Sequence, residues 1–105
     1  METLTLREFK AKADSGIIFT VKFIKRTTGE ERVMNCRRGV SKGVKGVGLG
    51  FDPDEKGLLV VWDMQKLEEG ATEKGAFRMI NLEDLRELKM QGKRYAWSRD
   101  HFVEL

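Results

Sequence analysis

Ile17-Ile-Phe-Thr-Val-Lys-Phe-Ile24, Thr27-Thr28-Gly29-Glu30 and Arg32-Val-Met-Asn-Cys-Arg37 together decide the fold. In the first segment the apolar side chains fall at every second position, with Ile17, Phe19, Val21 and Phe23 on one face and Thr20, Lys22 and Ile24 among those on the other. A period of two in a β-branched and aromatic run is the mark of a strand. The glycine at 29 supplies the positive φ of a tight turn. The segment 32–37 then returns as a second strand, with Met34 and Cys36 on one face and Val33, Asn35 and Arg37 on the other.

Upstream, Thr5 and Glu8 stand at capping-box spacing, and Leu6, Phe9 and Ala13 form one stripe before Gly16. This predicts a short N-terminal helix within residues 1–15 whose stripe lies against a core. Downstream, Leu58-Leu-Val-Val-Trp-Asp-Met64 is apolar on both faces, as for a strand bent across a barrel interior. Residues 65–75 are polar and acidic and read as a surface loop, and Ala76-Phe-Arg-Met-Ile80 reads as a further strand. Asn81 before Leu82, Glu83 and Asp84 predicts a single capped helical turn. Residues 85–90 and 93–97 pair across Gln91-Gly92 as the closing hairpin. The tail, 98–105, is open to one helical turn or to fraying. The pattern predicts one mainly β domain over 1–105: a small SH3-like or Sm-like barrel of five to six strands over 16–97, with a one-turn helix before the last hairpin. An α+β sheet with one packed helix is the alternative.

Composition bounds the function. The chain has 105 residues, room for one domain, and a single cysteine, so no intramolecular disulfide or multi-cysteine zinc site can form. No stretch reaches the roughly 18 apolar residues of a membrane span, and the first residues lack a signal sequence, which predicts a cytoplasmic protein. The net charge of +3 divides unevenly: residues 1–50 hold 11 Lys+Arg against 5 Asp+Glu, and residues 51–105 hold 9 against 12. Between Lys22 and Lys45 eight cations face two anions, a footprint for a polyanion or the solvated edge of a small barrel.

Chemical motifs are sparse. Gly43-Val-Lys-Gly46-Val-Gly48-Leu-Gly50 matches neither phosphate-binding glycine pattern. It reads as a basic loop carrying Lys42 and Lys45, able to grip phosphates without a motif. Asp52, Asp54 and Glu55 lack calcium-loop spacing, with Pro53 between them, and read as an acidic turn. His101 is the only histidine, and Cys36 on an apolar face reads as a small hydrophobe, so no catalytic set assembles and no cofactor or metal is expected. Trp62 and Phe77 read as core. Tyr95 and Trp97, beside Lys93, Arg94 and Arg99, read as an exposed platform for bases or for a protein partner.

The segments Phe19–Gly29, Arg32-Val-Met-Asn-Cys36, Leu59-Val-Val-Trp-Asp-Met64 and Phe77-Arg-Met-Ile-Asn-Leu82, in this order, resemble the WYL-like, Sm-like SH3 β-barrel small proteins of tailed bacteriophages. The resemblance covers about residues 16–97. It implies a small barrel and a phage protein acting in the cytoplasm of a bacterial host, in a family mostly of unknown function. The expected activity is non-enzymatic binding, with Arg37, Arg38, Lys42, Lys45, Lys93, Arg94, Tyr95 and Trp97 contacting nucleic acid, single-stranded or RNA above all. Two alternatives stay open: a module that engages or inhibits a host protein, and a nucleotide-binding or sequestering protein. Free strand edges allow a homo-oligomer in any of these.

Overall fold

The computed structural model describes residues 2–38, 57–71 and 73–105. The basic glycine loop with Lys42 and Lys45, and the acidic turn with Asp52, Asp54 and Glu55, lie outside the described residues.

The first element is a three-residue strand, β1 (Thr3–Thr5), which leads directly into the helix α1 (Leu6–Ala13). The capping box forms as expected: the Glu8 amide donates to Thr5 Oγ1 at 3.1 Å and the Thr5 amide to Glu8 Oε1 at 3.0 Å. These bonds satisfy amides that the first helical turn leaves without partners. The stripe of α1 buries Phe9 and Ala13 completely. Phe9 meets Phe19 and Phe102 edge to face at ring-centroid distances of 5.0 and 5.2 Å.

Strands β2 (Ile18–Ile24) and β3 (Glu31–Arg37) form the expected hairpin, with Gly29 at φ 73° in its turn. Next come β4 (Leu58–Asp63), the short helices α2 (Met64–Glu68) and α3 (Glu73–Ala76), and β5 (Phe77–Asn81). A 3-10 turn over Leu82–Asp84, capped by the Asn81 side chain, leads to β6 (Leu85–Met90). The last strands are β7 (Lys93–Ser98) and β8 (His101–Glu104). Gln91 and Gly92, at φ 52° and 78°, make the tight turn between β6 and β7.

All pairings are antiparallel, in the order β1-β8-β7-β6-β2-β3-β4-β5. This corrects the expected barrel of five to six strands: the sheet has eight and is not closed, with β1 and β5 as its edges. Two of the extra strands come from the termini. Arg99, at φ 58°, turns the expected helical or frayed tail back as β8, and β8 recruits β1. The sheet nevertheless wraps one core, whose buried cluster takes Leu4, Phe19, Met34, Leu59, Ile80, Leu85, Tyr95 and Phe102 from the eight strands and Phe9 from α1.

The segment 65–75, expected as a loop, carries α2 and α3 instead. Asp63 ends β4 and caps α2, its Oδ1 accepting from the amides of Gln65 at 3.0 Å and Lys66 at 3.4 Å. These helices explain why β4 is apolar on both faces. Leu59 and Val61 point into the main core, while Val60 and Trp62 join Ala76, Leu67 and Phe77 in a second cluster beneath α2 and α3. The bent-strand explanation is replaced by a helical cover.

Candidate functional site

Lys42 and Lys45 lie outside the described residues, and the other residues expected to bind a partner each take part in separate local contacts. Arg38 is a structural tie: its Nε donates to Asp14 Oδ1 at 2.9 Å and its Nη1 to the Val60 carbonyl at 2.7 Å, joining the end of α1 to β4. Arg37 opposes Trp62 across β3 and β4, and its Nε and the Trp62 indole Nε1 are buried with no hydrogen-bond partner among the described residues. Lys93 Nζ bonds Glu2, across from β1. Arg94 Nη2 donates to Glu87 Oε1 at 2.9 Å while Lys22 Nζ donates to Glu87 Oε2 at 3.1 Å. These two hydrogen bonds, Arg94 first, hold the Glu87 carboxyl below its ordinary range.

Tyr95 is corrected as an exposed platform. It is 2% exposed, and burial pushes its phenol up from the ordinary range. Trp97 is half-buried, its ring tilted against Phe102 at 4.8 Å. Cys36 is fully buried, and desolvation, with the Asp63 charge second, pushes its thiol far up, so it stays a protonated hydrophobe. Among the described residues no group of three or more His, Cys, Asp or Glu side chains is placed to hold a metal ion.

A different set of cations does converge. In β2 the core-facing register reads Phe19, Val21, Phe23, and the ladder continues one step past Ile24, where the Lys25 amide donates to the Glu30 carbonyl at 2.8 Å. Alternation therefore turns Lys25 to the core side. By the same count the core-facing register of β3 begins at Arg32 before Met34 and Cys36, that of β4 ends at Asp63, and that of β5 begins at Arg78 before Ile80. These charged ends surround a cleft of about 430 Å³, floored by Phe23, Met34 and Ile80 and rimmed by Lys25, Arg32, Arg78 and Lys66 of α2.

The cleft exists because the sheet stays open. β3 and β4 pair only at Cys36↔Asp63 and Arg37↔Trp62, so the first half of β3 runs past the end of β4. Arg78, Met79 and Ile80 all line the cleft. Three consecutive residues of an edge strand can share a cavity only along the strand's edge, because successive side chains point to opposite faces.

Its charge is unbalanced. Four cations meet one carboxylate, and Asp63 is 6% exposed with an oxygen already committed to α2. Among the described residues Lys25, Arg32 and Arg78 have no ion-pair partner. The guanidinium of Arg78 is steadied by the carbonyls of Gly75 and Phe77 at 2.9 and 2.8 Å. Lys66 meets Glu69 at 3.5 Å, an exposed pair of small strength. Cations gathered over an apolar floor suit a phosphate or carboxylate ligand with an apolar part.

Lys25 and Arg32 belong to the basic run that the sequence marks, but Lys66 and Arg78 do not. The signal that finds all four is a charged residue at the end of a core-facing alternation, together with a basic residue in the helix that follows Asp63. Comparison with protein families, with curated proteins and with solved structures finds no match to this chain.

Proposed function

We propose that this chain is a non-enzymatic binding protein for single-stranded nucleic acid, and that the cleft at the β5 edge holds its phosphates. The observation that carries the reading is the excess of four cations over one committed carboxylate around that cleft. Each phosphate neutralised releases condensed counterions, and such contacts bind with little regard to base sequence. The strand order β6-β2-β3-β4-β5, with a helical turn between β5 and β6, supports an SH3-like, Sm-like ancestry in which α1 and three terminal strands were added and closure was given up. On this reading the protein is akin to the WYL-like phage proteins and acts in the bacterial cytoplasm.

Fluorescence anisotropy with labelled single- and double-stranded oligonucleotides tests it. With four phosphate contacts at a slope of about 0.7 each, single-strand affinity falls roughly 50-fold between about 50 and 200 mM salt. Absence of binding at the lower salt overturns the reading.

A second reading, a module for a host protein, is favoured by the outer edge of β5, which no described strand pairs and where Met79 is 41% exposed. An extended peptide could add to that edge as a further strand. Binding to a bacterial protein that persists after nuclease treatment and is lost in Met79→Lys would support this reading.

A further inference from the structure

A second cleft of about 460 Å³ lies on the other side of the crossover from β5 to β6, lined by Leu82, Glu83, Leu85, Arg86, Trp97 and Arg99. The two clefts are neighbours. Ile80 lines the first and Leu82 the second, two residues on, while Phe23 of the first stands opposite Leu85 of the second across β2 and β6. Arg26, next to Lys25, bridges them by bonding Asp84 at 2.6 Å and Glu83 at 3.2 Å in the intervening turn.

Trp97 shares the core-facing register of β7 with the buried Tyr95 but comes last, at the mouth of the core. Its ring is backed by Phe102 and borders the cleft. Two arginines flank it. One nitrogen of Arg86 is held by the carbonyls of Glu83 and Leu85, and Arg99 has no ion pair among the described residues. The one carboxylate of the lining, Glu83, is paired with Arg26.

We propose that this cleft takes a nucleobase of the strand whose phosphates occupy the first cleft, stacked on Trp97 and flanked by Arg86 and Arg99. The proposal rests on the nucleic-acid reading and deepens it, because a stacked base requires an unpaired strand. Aromatic rings and guanidinium planes both stack on bases, and such stacking tolerates any sequence.

The test uses the full chain carrying Trp62→Phe, which leaves Trp97 as its one indole. A short oligothymidylate and an abasic oligonucleotide of equal length are titrated, with Trp97 fluorescence and anisotropy both recorded. The expected result is quenching by the base-bearing strand alone and tighter binding of it, by between about 5-fold and about 150-fold. Trp97→Leu, which keeps an apolar backing for Phe102, should abolish that preference and leave abasic binding unchanged. Arg99→Gln should narrow it without touching the core. Equal binding of both strands with no quenching overturns the stacking site while nucleic-acid binding stands. If neither strand binds, the nucleic-acid reading fails and this site fails with it.

Discussion

Phe9 fastens α1 to the sheet through two edge-to-face contacts, and it is fully buried. Phe9→Ala leaves a cavity that rigid strands on one side cannot fill, so it should cost about 3–5 kcal/mol in chemical denaturation. Glu87 makes a smaller, pH-dependent contribution. Its hydrogen bonds to Arg94 and Lys22 lower its folded pKa below the ordinary 4.5, so folding favours the charged form. That contribution is complete above 4.5 and is lost as pH falls toward the folded value. Urea midpoints of the parent should therefore drop more steeply through this acidic range than those of Glu87→Gln. Tyr95, the only tyrosine, should ionise above its ordinary 10.0, which an ultraviolet titration of the folded protein reads without interference from another phenol. The burial of Tyr95 was hidden in the sequence for a specific reason. A closing strand at 93–97 would leave the Tyr95 ring open to solvent, whereas β8 and β1 continue the sheet and the core beyond it.

At the scale of elements, the most legible were those whose signals are local. Thr5 and Glu8 announce α1, and Thr5→Ala, which removes the acceptor for the Glu8 amide, should cost about 0.5–2 kcal/mol in thermal or chemical unfolding. The β2–β3 and β6–β7 hairpins were legible through period-two alternation and the glycines at 29 and 92. Four elements escaped, of which β1 has three residues and forms as the partner of β8. α2 and α3 have five and four residues, too few for a helical period to show, and their evidence was displaced into β4, whose second apolar face they cover. β8 escaped because its turn depends on Arg99 at positive φ, a conformation that arginine does not advertise.

The whole molecule is a curled sheet with two unmatched edges, and both its stability gradient and its proposed site follow from that. β2 lies inside the sheet, flanked by β3 and β6, whereas among the described residues β5 pairs on one side only, with β4. Amide hydrogen exchange should therefore be slowest in the buried centre of β2 and faster along the outer edge of β5. Closure was not legible because it depends on whether β5 meets β6 or β2 across the crossover, a long-range outcome that strand patterns do not encode. The cleft was legible only in part. Lys25 and Arg32 stood in the basic run, but their union with Lys66 and Arg78 needs the register of four strands and the helix after Asp63. Phosphate binding in the β5-edge cleft is tested by amide and side-chain chemical-shift mapping while a short single-stranded oligonucleotide is added at low salt. Saturable shifts concentrated at Lys25, Arg32, Lys66 and Arg78, and reversed by added salt, are expected. An absence of shifts, or shifts confined to the outer face of the sheet around Thr20, Lys89 and Arg94, would contradict binding in the cleft.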